Sequence, residues 1–298
     1  MIEVDLHLHT TFSDGRLTPA ELVRLCAQRG LKEIAVTDHD SIEGIPDALK
    51  AAEEYPGLEI IAGVELSTDV PKGEVHLLGY FVDHEDTTFQ RTLARFRDGR
   101  ADRGRRMVEK LRDLGVRVSW ERVKELSDGG AIGRPHIAQA MVEEGYIRYP
   151  KEAFDRYIGR DGPAYVTRIK LSPVEAVEVV ARNGALPVMA HPIYSMEDTG
   201  PDEIARLKRI LEELKEAGLA GMEVYYGDYP AEQVSLLATI AEELDLAPCG
   251  GSDYHASGNP GEPEPGSVGP PVETVKRLRA LLKHDVPTGR AAERRAHR

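Results

Sequence analysis

Short apolar blocks recur along the chain. They occupy residues 2–8, Glu33 to Thr37, Leu58 to Val64, Glu74 to Phe81, Ala185 to Ala190, Gly221 to Tyr225 and Leu246 to Gly250. Each has the length of a strand, and most alternate with stretches whose apolar residues recur at helical spacing. Such stretches run through Ser172 to Asn183, Pro201 to Ala217, Pro230 to Leu244 and Val272 to Lys283. Strand followed by helix, repeated, predicts an α/β fold with a seven-stranded parallel sheet. The first helix has a start signal in Thr18-Pro19-Ala20-Glu21, a capping hydroxyl with proline at the first helical position and a glutamate three residues on, and it stops near Gly30.

Between Phe81 and Ala185 the alternation fails, and only helical periodicity remains. The pattern predicts a discontinuous barrel domain, residues 1–82 and 185–288, interrupted by a helical insertion at 83–184. Residues 256–271, dense in Gly and Pro, read as an irregular surface loop that is either a lid or a connection. Residues 289–298 read as a frayed tail.

Polar residues at the ends of these strands carry the chemistry. Asp5-Leu6-His7-Leu8-His9 puts two imidazoles two residues apart. In a regular strand His7 and His9 share a face with Asp5, while Val4, Leu6 and Leu8 face the other way. Convergent imidazoles suit zinc-like and manganese-like ions. The same spacing also fits two polar residues on an open strand face.

The remaining strand ends sharpen the choice. Thr37-Asp38-His39-Asp40 follows the second strand, Glu65 ends the third, His76 lies in the fourth, His191 ends the fifth, and Asp253 and His255 follow the seventh. In a parallel barrel the strand carboxyl ends open on one rim, where active sites are built. Six of the ten histidines would meet there, whereas His84, His136, His284 and His297 lie elsewhere. Taken singly, His39 could cap a helix, His76 could be a core histidine and His191 could simply end a strand. Glu65 is harder to dismiss, because a buried carboxylate is costly unless paired or metal-bound.

Asp-x-His-x-His-Thr-x-x-Ser-Asp-Gly, Thr-Asp-His-Asp, Gly-x-Glu, the strand histidine, Ala-His-Pro and Gly-Ser-Asp-x-His together resemble the polymerase and histidinol phosphatase (PHP) family over nearly the whole chain. The resemblance implies a distorted seven-stranded (β/α)7 barrel and three divalent ions, whether Mn, Fe or Zn. In that scheme His7, His9, Glu65 and Asp253 hold one ion, Glu65 bridges to a second with His76 and His191, and Asp14, His39 and His255 hold the third. Asp14 stands where histidinol-phosphatase members carry a histidine. With the long insertion, it points to the branch containing RNase AM and nucleoside 3',5'-bisphosphate phosphatases.

The insertion adds cations. Arg95 to Lys124 holds eleven Lys/Arg against five Asp/Glu. Arg100 and Arg103, three apart on a helix, share a face suited to a phosphate. Gly133-Arg134-Pro135-His136 reads as a helix start that brings backbone amides and Arg134 to an anion, with His136 as a pocket wall or orienting donor. A solvated helix face beside an ordinary helix start fits the same pattern. Related enzymes contact a second phosphate with arginines of this insertion, so the resemblance implies a substrate role.

The expected activity is hydrolysis of a nucleoside 3',5'-bisphosphate, such as adenosine 3',5'-bisphosphate, or 5'-to-3' trimming of short single-stranded RNA. Metal-bound hydroxide would be the nucleophile, with Glu65, Asp14, His39, His191 and His255 as the catalytic set. Competing readings are another small-molecule phosphatase acting on a histidinol-phosphate-like ester, an amidohydrolase, and a non-catalytic metal module. Against the amidohydrolase, His76 stands where a bridging lysine would often be sought. Against a decayed module, all nine ligand positions are filled.

Composition narrows the partners. A formal net charge of −13 over 298 residues disfavours duplex DNA and anionic membranes. The sequence has neither an apolar leader nor a spanning segment, and its two cysteines, Cys26 and Cys249, cannot form a disulfide framework. A cytoplasmic protein is expected, of oligomeric state the sequence leaves open.

Overall fold

The computed structural model describes residues 2–69, 74–167, 171–196, 199–227 and 229–284. The predicted tail at 289–298 and the last residues of the predicted barrel domain lie outside them. Seven strands form one sheet in sequence order: β1 (Val4–Leu8), β2 (Glu33–Val36), β3 (Glu59–Asp69), β4 (Glu74–Tyr80), β5 (Leu186–Ala190), β6 (Gly221–Tyr226) and β7 (Ala247–Gly251). The sheet closes where the segment after β7 meets β1: His9 N donates to Tyr254 O (3.1 Å) and Asp253 N to His7 O (2.9 Å). The result is a distorted barrel. Helices α1 (Pro19–Gln28), α2 (Ile45–Ala52), α7 (Pro173–Arg182), α8 (Pro201–Glu216), α9 (Ala231–Glu243) and α10 (Val272–His284) accompany the strands. The α1 start has the predicted capping box, with Thr18 Oγ1 accepting from Glu21 N and Glu21 Oε2 from Thr18 N. No helix among the described residues is long and apolar enough to cross a membrane.

Two apolar clusters define the faces of the sheet. One joins Leu8, Val36, Val64, Leu77, Met189 and Val224 to residues of α1, α2, α7, α8 and α9, and is the outer layer. The other gathers Val4, Leu6, Ala35, Ile61, Leu78, Tyr80, Val188 and Cys249, with Val275 and Leu278 of α10, and fills the interior. This division corrects the reading of β1, because Val4 and Leu6 face inward while Leu8 faces outward. The register of β1 on β2 shifts between Asp5 and Leu8. An irregularity of this kind breaks strict alternation and turns His7 and His9 toward the mouth of the barrel.

The all-parallel sheet is also corrected. Strand β4 runs antiparallel to both β3 and β5. A parallel neighbour needs a crossover of about a dozen residues or more, and the gap between Asp69 and Glu74 is far shorter. Strand β3 therefore continues past Val64. Residues 59–62 pair in parallel with β2 and residues 63–69 pair with β4, so Glu65 sits mid-strand rather than at an end. Reversal puts the start of β4 at the rim, which places His76 beside the carboxyl ends of the other strands.

The chain then leaves β4 at the far end of the barrel and returns through α3 (Thr87–Asp113), whose Phe89 and Leu93 join the outer layer. Helices α4 (Trp120–Leu126), α5 (Arg134–Glu143) and α6 (Pro150–Ala153) follow. A separate core holds this part together, with Met107 and Leu111 of α3 against Val123, Ile137, Met141, Ile158 and Val166. It meets the barrel at Gly130, where a β-carbon would lie 2.4 Å from Thr11 O and 2.8 Å from Phe12 C. Ala131 N donates to Phe12 O (3.0 Å) at the same contact. Both clashing groups are backbone, so Gly130→Ala is expected to destabilise the protein by about 1–3 kcal/mol, read from the urea midpoint. An unchanged midpoint would show that the contact is not tight.

Candidate metal centre

Glu65 is the hub of the rim. Its Oε2 lies 3.3 Å from His7 Nε2, 3.3 Å from His9 Nε2 and 3.1 Å from His39 Nδ1. Its Oε1 lies 2.6 Å from His76 Nδ1 and 3.2 Å from His191 Nε2. Five imidazoles from four segments of the chain thus converge on one buried carboxylate. Asp253 Oδ1 lies 3.1 Å from both His7 Nε2 and His9 Nε2. On the insertion side, Asp14 Oδ1 lies 3.3 Å from His255 Nε2, and Asp14 Oδ2 lies 3.7 Å from His39 Nε2.

These side chains form three overlapping donor groups: His7, His9, Glu65 and Asp253; His39, Glu65 and His76; and His9, Asp14, His39 and His255. Within each, the ligand atoms lie within 4.8 Å of one another. His191 stands at the edge of the second group, in contact with Glu65. All nine sequence-predicted ligand residues therefore meet at one place.

The donor chemistry fits cations. His9 Nε2, Asp14 Oδ1, His39 Nδ1 and Asp253 Oδ1 are buried without a hydrogen-bond partner, although carboxylate or imidazole atoms are only 3.1–3.8 Å away. Distance is satisfied but donor direction is not, so lone pairs face a shared space. Buried polar atoms are rarely left in that state, and a cation is the partner that accepts lone pairs from every side.

The electrostatics agree. Burial would raise the Asp14 and Glu65 pKa values, but His39 and His255 around the first, and His39, His76 and His7 around the second, hold both well below the usual carboxylate range. Burial pushes His39 down to about 3, against the pull of Glu65 and Asp14, so the ring is neutral and one of its nitrogens keeps a lone pair at neutral pH. Burial also opposes the charged form of His255, yet Asp14 and Asp253 outweigh it and lift the imidazole to about 10, so this ring carries a proton that a bound cation would displace.

Outer contacts set the ring orientations. Glu223, fully buried on β6, accepts from His7 Nδ1 (3.0 Å) and from His191 N (2.7 Å). With Nδ1–H committed to that carboxylate, the His7 Nε2 lone pair is directed to the centre, a support common among metal-binding histidines. His255 Nδ1 is similarly committed to Asp253 O (2.8 Å), and Tyr226 Oη donates to Asp253 Oδ2 (2.6 Å). Asp38 accepts from Thr10 N (2.8 Å), Thr10 Oγ1 (2.6 Å) and Ser13 Oγ (2.6 Å), pinning the turn that carries Asp14. His191, Asp253 and Asp40 hold positive φ of 27°, 55° and 52°. Strain of this kind persists where the surroundings over-determine the backbone, as at functional sites.

Sequence reasoning does not find Glu223 as a member of the site. Its signal is a lone carboxylate at an inward position of the apolar strand Gly221–Tyr226, the same argument that picks out Glu65. Glu223→Gln removes the charge while keeping the shape, and second-layer losses of this type cost about 10–100-fold in metal affinity. Metal titration at limiting concentration should show that loss with an unchanged circular dichroism spectrum, and unchanged affinity would exclude the orienting role.

A basic pocket of about 170 Å³ opens on the centre, bordered by His39, His76 and His255 and by Arg100, Arg103 and Arg134. Arg100 is braced by Asp40 Oδ2 (2.5 Å) and Ser67 Oγ (2.9 Å), and Arg103 by Val166 O (2.8 Å) and the Tyr165 ring (5.2 Å). Arg134 lies over Phe154. The α5 start differs from expectation, because Gly133 N donates to His136 Nδ1 (2.9 Å) and is not available to an anion. His136 borders a second, larger cleft.

A curled α/β sheet gathering imidazoles and carboxylates at one rim, under a basic helical cap, defines a barrel-type metal-centre protein. The chain belongs to the PHP family: residues 5–148 match the PHP domain. The 5'-3' exoribonuclease of Haemophilus influenzae is 34% identical over 255 residues, covering 84% of this chain and 89% of the relative. The 3',5'-nucleoside bisphosphate phosphatase of Chromobacterium violaceum is 31% identical over 263 residues, covering 88% and 90%. A Bifidobacterium adolescentis protein assigned as a metal-dependent phosphoesterase has a crystal structure that superposes with a TM-score of 0.83 at 31% identity, covering 93% of this chain and 95% of that one.

Proposed function

We propose that the chain is a metal-dependent phosphoesterase acting on nucleoside 3',5'-bisphosphates and on the 5' ends of short single-stranded RNA. The observation that carries this is the basic pocket bordered at once by centre residues and by three arginines. His7, His9, Glu65 and Asp253 would hold one divalent ion, Glu65, His76 and His191 a second, and Asp14, His39 and His255 a third, with Mn, Fe and Zn all suited to mixed imidazole and carboxylate donors. Such ions supply Lewis acidity toward phosphoryl oxygens and activate water at neutral pH.

The chain's own residues do the rest. Arg100, Arg103 and Arg134, presented by the helices inserted between β4 and β5, grip the phosphate that is not cleaved. Asp40 and Ser67 hold one edge of the Arg100 guanidinium so that its charge is aimed before substrate arrives, and such preorganisation favours the transition state. Glu223, Tyr226 and Asp38 keep His7, Asp253 and Asp14 in register. A cytoplasmic setting belongs to the same reading and accords with Cys26 and Cys249 being buried free thiols.

The test combines metal analysis of the purified protein with a panel of adenosine 3',5'-bisphosphate, histidinol phosphate and 5'-phosphorylated oligoribonucleotides. Release of phosphate from the bisphosphate, or of mononucleotides from the 5' end, is expected. Turnover of histidinol phosphate alone would overturn the assignment. RNA cleavage that falls steeply with salt while bisphosphate hydrolysis does not would reveal additional backbone contacts.

A further inference from the structure

The sequence leaves residues 256–271 open between lid and connection. In the fold, the start of this segment turns back on itself around one carboxylate. Glu262 Oε1 accepts from His255 N (3.0 Å) and Ser257 N (3.0 Å), and its Oε2 accepts from Gly258 N (3.3 Å). Glu262 N donates to Asn259 O (3.2 Å), which closes the turn. Ala256 takes a φ of 54° and Gly258 a φ of 78°, and left-handed backbone of this kind brings nearby N–H groups onto one anion.

One of these amides belongs to a member of the metal centre. The His255 ring stands in the donor group with His9, Asp14 and His39, its Nε2 3.3 Å from Asp14 Oδ1, and stacks on the His9 ring at a centroid distance of 4.0 Å. Arg16 N donates to the His255 carbonyl (2.8 Å), and His255 Nδ1 is paired with Asp253 O (2.8 Å). Those partners are backbone and come with the fold, whereas the His255 N–H is held by the Glu262 side chain. Beyond Glu262 the segment is fastened separately, by Glu264 to Arg29 Nη2 (2.7 Å) and by Gly266 N to Asp5 Oδ2 (3.0 Å). Loss of the Glu262 carboxylate therefore frees the His255 turn while the rest of the segment stays attached.

Resting on the three-ion reading of the centre, we propose that Glu262 is a positioning residue for His255 and thereby governs retention of the ion assigned to Asp14, His39 and His255. An ionised carboxylate makes charge-assisted bonds to backbone amides, which are the strong class. Partners that orient a metal ligand from behind change metal affinity by about 10–100-fold. The effect falls on one ion, because the ligands of the other two come from β1, β3, β4, the end of β5 and Asp253, with which Glu262 makes no hydrogen bond among the described residues.

The experiment dialyses metal-free protein to equilibrium against rising Mn(II) and counts bound ions by elemental analysis, for wild type, Glu262→Ala, Glu262→Gln and Arg29→Ala. Wild type should take up three ions. Glu262→Ala should hold two where wild type holds three, and should take the third only at about tenfold or more higher free Mn(II). Glu262→Gln, which keeps an acceptor for His255 N, should fall between them. Arg29→Ala, which unfastens the segment at Glu264 without touching His255, should match wild type. Full retention of the third ion in Glu262→Ala, equal weakening of all three, or an equally large loss in Arg29→Ala overturns the proposal. Amide exchange in the metal-free proteins separates these outcomes from failure of the three-ion reading. If wild type binds fewer than three ions, that reading falls. Faster exchange at His255, Ser257 and Gly258 in Glu262→Ala, with no change in Arg29→Ala, then still supports the hold on His255, and unchanged exchange removes it.

Discussion

Glu65→Ala is expected to abolish turnover, by about 10³-fold or more, and to strip the protein of most of its metal. A single charged group aimed at a reaction centre is worth about 10²–10³ in rate. Glu65 does more than that, because both of its oxygens are shared among His7, His9, His39, His76 and His191. Its removal leaves five imidazoles facing one another without the anion that collects them. Elemental analysis and steady-state kinetics on the same preparation check the expectation. A variant retaining wild-type metal content and rate would show that the centre does not depend on its hub.

Chelation should lower the melting temperature by about 10 °C or more, reversibly on return of Mn, Fe or Zn. Each ion present at a hundred times its dissociation constant adds about 2.7 kcal/mol to stability, and each kcal/mol shifts the midpoint of a domain this large by about 2–4 °C. The metal-free protein should still fold. Without cations, the protonated His255 imidazole lies 3.3 Å from Asp14, so part of the rim's negative charge is balanced from within. A melting temperature indifferent to chelator, in protein shown to have lost its metal, would mean that the ions contribute nothing to the fold.

Much of this is legible in the sequence because metal ligands must converge. Strand ends at one rim, two His-x-His-like spacings and a buried glutamate suffice to bring His7, His9, Glu65, Asp253 and His255 together before any coordinates are known. Strand direction is not encoded in the same way, since apolar alternation looks identical read up or down a sheet. The short spacing between Val64 and Glu74 is the clue to a reversed fourth strand, being too short for a crossover. The irregularity in β1 leaves no mark on composition at all, because Leu6 is apolar whichever way it faces. Glu223 escapes because it follows no motif. Its meaning comes from His7 and His191, which only folding brings to it.

The reversal of β4 also sets a measure. Because the chain re-emerges at the far end of the barrel, α3 must climb its full height before it can reach the rim. Arg100 lies about 20 Å along that helix at 1.5 Å per residue, and Arg103 about one turn beyond it. The lower half of α3 thus works as a post whose height is counted in residues. Lengthening or shortening it by one turn would move the arginines about 5 Å relative to the ions, roughly the scale on which one phosphate is told from the next. On the proposed reading, the height at which this helix stands beside its barrel sets the reach from the ions to the gripped phosphate.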